Sequence, residues 1–422
     1  MNLLLVNQYY PPDTAPTGQY LHQLARALVA RGHAVTVLCS RRAYNGNDVY
    51  AAVEERDGVR IRRIHAFGFG RKSAAGKLLD YASFYLALAG RLFSPRQRPD
   101  LILALTTPPY LGLLAAAAAR WKGTAHGHWI MDLYPDVLAA HGNLPATSGT
   151  YRLLAGLTRR EVRGSALTVT LGDDMAERVR NHFPAADRGA VRVESIPLWH
   201  DPALAPWADA APPPFRAEQG WGAGDLVLMY SGNMGRGHRF GEFLAAAAQL
   251  KGERAIHWVF SGGGARRGEL EAAAARDPQL NLRLLPYAPF ARLREHLCSA
   301  DVHLVSLDAA WQGCMIPSKF QGIFAVGRPV ILVSGRQNSL AQWIEESGGG
   351  WVVPEGDVAA LAAAVTAARD PAERARRGAA ARAFAERHFD TARNLQRLCE
   401  LIESCPRRPD AQGGKGRQDG SS

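Results

Sequence analysis

The sequence predicts an α/β protein built from two Rossmann-like, doubly wound domains that face each other across a cleft. Three observations carry this prediction. Short apolar runs ending in glycine- or proline-containing loops alternate with helical patterns along most of the chain. The alternation breaks once, at a proline-rich stretch near the middle, and then resumes. The length of 422 residues is long for one hydrophobic core and ordinary for two domains.

The elements follow in order. Residues 2–8, "NLLLVNQ", read as a buried parallel strand, and "YYPPDTAPTG" is a loop. Residues 19–31 place Leu21, Leu24, Ala25 and Leu28 on one helical face, with Gly32 as the stop signal. "HAVTVLCS" returns to strand and completes a βαβ unit. "GVRIRRIHAF" is a strand, 74–93 a long helix, "PDLILALTT" a strand and "PYLGLLAAAAARW" a helix. A short strand in "GTAHGHWIMDLYP", the strand "SALTVTLG", the helix "DDMAERVRNHF" and the strand "VRVESIPLW" end this half, placed at 1–198. The segment 199–223 has five prolines and no apolar period, so it is assigned as a linker. The second half, 224–385, runs through "LVLMYSGN", "AIHWVFSGGG", "NLRLLPY", "DVHLVSL", "GRPVILVSG" and "GGWVVPEGD". Helical patterns over 357–369 and 372–404 close the chain, and the tail from 406 to 422 reads as disordered.

Composition narrows the classes. With 47% hydrophobic and 21% charged residues the chain is globular, and its five cysteines (39, 298, 314, 399 and 405) form no C-x-x-C pair. That pattern fits a reducing compartment, no zinc site and a cytoplasmic protein. No apolar stretch reaches the ~18 residues of a membrane span, and "MNLLLV" lacks the basic start of a secretory signal. The net charge of +11 attracts phosphorylated molecules or an anionic membrane surface. The helix 74–93 is apolar almost all round, bordered by Arg71, Lys72, Lys77 and Arg91. It either packs on the sheet or lies on an anionic bilayer.

Chemistry concentrates at "YSGNMGRGHRFGEFL". A strand ends in a glycine turn at Gly232, Asn233 and Gly235, and a helix starts near Phe240. Glycines let the backbone approach a ligand, and Arg236, His238 and Arg239 add charge, which makes a diphosphate cradle. In Pro317-Ser318-Lys319 the serine caps a helix and the lysine reaches a phosphate from its first turn. His126, His128 and Asp132 lie together in "HGHWIMDLYPD", the two histidines on one face of a strand.

From about 1 to 405 the chain resembles the retaining family 4 glycosyltransferases, in the branch that builds capsule, O-antigen and exopolysaccharide repeats. The resemblance rests on "NQYYPPDTAPTGQYLHQLARALVARGHAVTVL", "MDLYPD", "YSGNMGRGH", "PSKFQGIFAVGRPVI" and "GGGWVVPEGD" in this order. It implies a GT-B fold, acceptor on the first domain, nucleotide-sugar on the second, and a last helix, about 386–405, that crosses back to the first. It implies no cofactor and no metal, because protein groups neutralise the diphosphate. It places Gly18 in the loop that approaches donor phosphate or acceptor. Asp132, with His128 as a nearby basic group, orients an acceptor hydroxyl or caps the next turn. Gly262 falls in the family's Gly-x-Gly, and Tyr287 stacks on the base or packs in the core. The chain departs from the family at Cys314 and Gly322, where two glutamates commonly stand, so the ribose contact is unassigned.

The expected partners are a nucleotide-sugar donor and a glycan or lipid-linked sugar acceptor, with peripheral membrane contact and no nucleic acid. The catalytic set is Asp132, His128, Arg236 and Lys319, with Arg239 and His238 completing the cradle. Two other readings share the shape: a nucleotide-sugar 2-epimerase and a non-catalytic two-domain sugar-binding protein.

Overall fold

The computed structural model describes residues 1–43, 48–65, 67, 74–96, 98–208 and 211–406, without the side chains of 74, 75 and 77. Arg71, Lys72, the Lys77 side chain and the tail beyond Pro406 therefore lie outside the described residues.

The first half forms an eight-stranded sheet in the order β3-β4-β2-β1-β5-β6-β7-β8. The strands are β1 (Asn2–Val6), β2 (Ala34–Ser40), β3 (Val53–Arg56), β4 (Val59–Ile64), β5 (Leu101–Leu105), β6 (Ala125–Trp129), β7 (Leu167–Thr170) and β8 (Val193–Ser195). Its helices are α1 (Pro16–Ala30), α2 (Ala74–Leu92), α3 (Leu111–Lys122), α4 (Asp136–Ala140), α5 (Gly149–Arg163) and α6 (Asp173–Asn181). The second half is a six-stranded parallel sheet in the order β11-β10-β9-β12-β13-β14. Here the strands are β9 (Leu226–Ser231), β10 (Ile256–Ser261), β11 (Leu282–Leu285), β12 (Val302–Ser306), β13 (Val330–Val333) and β14 (Gly350–Val353). The remaining helices are α7 (Pro214–Glu218), α8 (Gly241–Gln249), α9 (Arg267–Arg276), α10 (Leu293–Cys298), α11 (Lys319–Ala325), α12 (Ser339–Ser347), α13 (Val358–Ala367), α14 (Pro371–His388) and α15 (Thr391–Glu403).

The strands are apolar throughout because both sheet faces are covered. In β5, Leu101, Leu103 and Leu105 join the core that holds Leu21, Leu24 and Leu28 of α1. Ile102 and Ala104 of the same strand face Phe84 and Leu88 of α2 and Ala115 of α3. Each sheet reverses its strand order beside its first strand, β1 or β9, which opens a crevice at the carboxyl ends where ligands bind in this architecture.

Several elements differ from the sequence pattern. β3 is an antiparallel edge strand joined to β4 by Asp57-Gly58, both at positive φ (52° and 74°). An Asp-Gly pair between strands is a hairpin signal, and it stands in "ERDGVR". α1 starts at Pro16, where the fixed φ of proline suits a first helical residue. The apolar pattern assigns nothing between 137 and 164, yet α4 and α5 form there; Ser148 caps α5 by accepting from the Tyr151 N–H at 3.1 Å. The closing helix 372–404 is two helices: Asp390 caps α15 by accepting from the Arg393 N–H at 2.7 Å. The segment assigned as linker carries the short helix α7 and packs on the second half, where Arg294 donates to the Ala205 and Pro206 carbonyls.

Phe384 of α14 packs edge-on against Phe324 of α11. α15 instead reaches the first half. Glu403 accepts from Arg31 at 2.8 and 2.7 Å and lies 2.7 Å from His33 Nε2, and Asn394 donates to the Pro197 carbonyl at 3.2 Å. At the crevice the halves meet directly. The Leu133 N–H donates to the Cys314 carbonyl at 2.8 Å, and Arg178, held by Asp136 at 2.7 Å, donates to the Gln312 carbonyl at 2.6 Å. His141 of the first half packs edge-on against Trp311 of the second, ring centres 4.5 Å apart.

Candidate active site

The second half supplies one wall. The loops after β9 and β10 are laced together: the Gly232 N–H donates to the Ser261 carbonyl at 2.9 Å and the Met234 N–H to the Gly263 carbonyl at 2.7 Å. Gly262, at φ 131°, lies so close that a Cβ there would sit 2.0 Å from the Gly232 carbonyl oxygen, so only glycine fits. Tyr287 is 56% exposed, lies within 3.3 Å of the space beside Gly262 and Gly263, and donates its hydroxyl to the Gly263 carbonyl. It is therefore on the surface of this wall and not in the core.

Lys319 enters this wall from the first residue of α11. Its ammonium is buried, has no hydrogen-bond partner among the described residues, and stands 3.3 Å above the centre of the Tyr230 ring. It lies beside Gly232, where an added methyl would meet Nζ at 3.7 Å. Burial drives its pKa well below the usual lysine range. A cation held out of water with only a ring face beneath it is incomplete until an anion arrives. Arg236 and Asn233 of the glycine turn are exposed at the mouth, and Arg236 is close enough to His141 to lower that histidine's pKa after burial has done so.

Three expectations about this wall are corrected. Arg239 is not a free cation: its guanidinium is bound to Glu242 (Nε to Oε1, 2.9 Å), Asp308 (3.2 Å) and Glu355 (3.5 Å). His238 is not a positive charge. Its Nδ1–H donates to the Ser306 carbonyl at 2.7 Å, and burial, then Lys319, push its pKa down to about 3. Ser318 does not cap α11; it is exposed and makes no capping bond, while Pro317 behind it is buried. Gly235 keeps its place in the turn, with Asn233 Nδ2 3.1 Å from where a Cβ would be.

The first half supplies the opposite wall. Gly18 lies inside α1 with its N–H bound to the Ala15 carbonyl at 3.0 Å, so it does not offer that N–H to an anion. Its missing side chain instead lets α1 approach the Tyr9 carbonyl, 3.0 Å from the Cβ position. Asp132 follows β6, its backbone N–H donating to Thr106 Oγ1 at 3.3 Å. Burial raises its carboxyl pKa to about 6. A cavity of about 260 Å³ lies between these loops and Ser318, lined by Asp132, Thr17, Thr107, Tyr9, Tyr20, Met131, Leu171, Leu198 and Ile316 among others.

His128 is the clearest correction. With His126 it packs between β6 and α5, where its Nδ1 lies 3.1 Å from Glu161 Oε1. The distance suits an ion pair, and burial works against the charge on both groups. Burial pushes His128 down to about 3 and Glu161 up to about 8. Glu161 fits because residue 112 is glycine; a Cβ there would overlap its carboxyl oxygen at 1.7 Å. His126 bonds the Glu161 backbone carbonyl at 3.2 Å. The sequence brought His128 and Asp132 together by proximity alone; β6 ends at Trp129, so Asp132 stands in the loop beyond the strand while His128 is spent inside it against Glu161.

Residues the pattern did not single out include Tyr230, Thr107 and Ile316. A tyrosine closing a buried strand and an isoleucine before Pro317 carry no local signal of a site. A larger crevice of about 1080 Å³ opens between α5, α6 and the loops at 309–313 and 336–342, lined by charged groups such as Arg152, Arg159, Glu177 and Arg336. None of the glycine-turn residues lines it, so it is separate from the Lys319 wall.

Comparison with known proteins now bears on this geometry. Residues 17–199 match the glycosyl transferase 4-like domain, and residues 225–370 match the glycosyl transferases group 1 domain. The chain is 26% identical, over 85% of its length and 87% of theirs, to a probable glycosyltransferase WbjE of Pseudomonas aeruginosa. It is 24% identical, over 95% of its length and all of theirs, to the putative colanic acid biosynthesis glycosyl transferase WcaI of Escherichia coli. HepE of Anabaena, solved in complex with UDP, superposes with a TM-score of 0.66 at 15% identity, over 96% of this chain and all of that one. Two matched domains in order, facing across a crevice with a buried lysine, make the chain a member of the two-domain glycosyltransferases of GT-B fold, 4-like in its first half and group 1 in its second.

Proposed function

We propose that the protein moves a hexose-like sugar from a nucleoside diphosphate to a hydroxyl of a growing cell-surface glycan, with retention at the anomeric carbon. One observation carries the reading: the buried, unpartnered Lys319 ammonium beside the Gly232 turn. A diphosphate seated there restores the charge of Lys319 and meets Arg236 at the mouth, so the developing leaving-group charge is stabilised by groups already in place. Protein groups, rather than a metal, then carry that stabilisation. The relative WcaI, named for colanic acid biosynthesis, supports a polysaccharide pathway, and HepE, solved in complex with UDP, supports a nucleotide ligand. Asp132 is the group on the opposite wall suited to orient the attacking hydroxyl. In a retaining transfer that hydroxyl attacks from the leaving-group side, and the departing diphosphate takes its proton.

The acceptor in this proposal is lipid-linked and met at an anionic membrane surface. α2 buries Phe84, Leu88 and Leu92 on the sheet and exposes Leu78 (69%), Leu79 (50%) and Leu86 (77%) on the other side. An apolar ridge on an amphipathic helix suits an interface. No helix among the described residues is long and apolar enough to cross a membrane.

Titration of the full chain with UDP, GDP and ADP by calorimetry tests the reading. Micromolar binding of at least one nucleotide is expected. Folded protein that binds none of them overturns it.

A further inference from the structure

We infer that Arg178 is a positioning residue for the transfer: from the first half it fixes the loop that carries Lys319, and so sets the Lys319 wall against Asp132. This rests on the transferase reading above and adds a residue to it.

Residues 307–318 join β12 to α11 and end at Lys319. Within the second half this loop supports the glycine turn. The Asp308 N–H donates to the Gly237 carbonyl at 3.0 Å, and a Cβ on Gly237 would lie 2.8 Å from both Met315 and the Trp311 ring. Across the cleft the same loop rests on the first half at successive points. Arg178 Nη1 donates to the Gln312 carbonyl at 2.6 Å. Gly313, at φ 70°, passes so close to α6 that a Cβ would stand 3.0 Å from the Asp174 carbonyl oxygen and 3.1 Å from Arg178 Cδ. The Cys314 carbonyl accepts from the N–H of Leu133, the residue after Asp132. A Cβ on Gly172 would stand 2.5 Å from Ile316 Cδ1. Glycine at 172 and 313 lets the halves approach this closely. A shift of the loop therefore moves Lys319 and the glycine turn together, relative to Asp132.

Arg178 is itself anchored. Asp136, 3% exposed, accepts from Arg178 Nε at 2.7 Å and from the Tyr151 hydroxyl at 3.2 Å, and lies 2.7 Å from His182 Nε2. A planar guanidinium bound at one edge holds its other edge in place, here against the Gln312 carbonyl. Arg178 need touch no substrate to matter, because a misplacement of about 1 Å between reacting groups costs about 10²-fold in rate.

Hydrogen exchange and kinetics of the full chain carrying Arg178→Ala test this. The Leu133 N–H is not bonded to Arg178, so its exchange reports the seam between the halves and not the missing side chain. It is expected to exchange about 10-fold faster in the variant. Binding of UDP, GDP or ADP, whichever the wild type binds, is expected to stay within about two-fold by calorimetry. With the matching nucleotide-sugar, kcat is expected to fall about 10²-fold while KM stays within about three-fold. Gly313→Ala, on the other side of the seam, should give the same split, and the double variant should lose little more than either alone. If Arg178→Ala does not fold, Arg178→Lys takes its place. Unchanged exchange at Leu133, kcat within about two-fold of wild type, an equal fall in nucleotide affinity, or losses that multiply in the double variant each overturn the inference. Wild type that binds no nucleotide overturns the transferase reading instead, and exchange at Leu133 still decides whether Arg178 holds the seam.

Discussion

Lys319 on the second half and Glu161 on the first are both ionisable groups stripped of water, and both are driven toward their neutral forms. They differ in what they face. Glu161 faces His128 at 3.1 Å within its own half. Lys319 faces a tyrosine ring and an open glycine turn. Burial by itself therefore does not identify a functional group here. A buried basic group that faces an open glycine turn, with no carboxylate paired to it among the described residues, does, because it is held at a cost that only an anionic ligand offsets.

Lys319→Ala gives the largest effect and would break the contrast outright if it failed. Turnover of the nucleotide-sugar should fall by about 10²–10³, as for loss of a preorganised charge-stabilising group, while the melting temperature holds or rises. Unchanged activity would put Lys319 with Glu161 among structural residues. The same lysine should take up a proton when nucleotide binds, so wild-type binding should weaken as pH rises, with a buffer-dependent enthalpy that the variant lacks.

Asp132→Asn tests the opposite wall. With its carboxyl raised to about 6, the aspartate is protonated below that pH, and kcat/KM should fall on the acid side with an apparent pKa near 6. The variant should lose roughly 10-fold or more at pH 7.5 and show no acid limb. Stability should move the other way. The folded carboxyl keeps its proton above the ordinary value of 3.8, so stability falls as pH rises from about 4 to 6, and asparagine removes that slope.

Glu161→Gln should do least. Because the folded carboxyl holds its proton up to about 8 and the unfolded one releases it near 4.5, wild-type stability declines between those values as pH rises. Glutamine keeps the shape and removes the ionisation, so denaturant midpoints across that window should flatten while activity stays within about two-fold. A large loss of activity would mean that the Glu161–His128 pair reaches the chemistry after all.

Much of the fold is legible in the sequence because buried parallel strands announce themselves as apolar runs, as "LILAL" and "VILV" do. β3 is not, since its residues Val-Glu-Glu-Arg are mostly polar, as an edge strand allows; only the Asp57-Gly58 turn betrays it. α5 is obscured by its arginines, and the break before α15 is carried by one capping aspartate. The site divides the same way. The glycine turn and Lys319 can be read locally, because close backbone approach needs glycine and a phosphate needs charge. Which cations are free cannot be read locally, since Glu242, Asp308 and Glu355, which occupy Arg239, come from three separate segments. Nor can the cavity beside Asp132, whose lining spans residues 9 to 318.

The clasp between Glu403 and the Arg31–His33 turn also sets an order of events during synthesis. The surface of α1 that α15 covers stays open while some 360 further residues leave the ribosome, and it closes only once Thr391–Glu403 has emerged. A chain cut after Phe389 should thus keep a sound second half and expose its fault in the first, at the end farthest from the missing sequence.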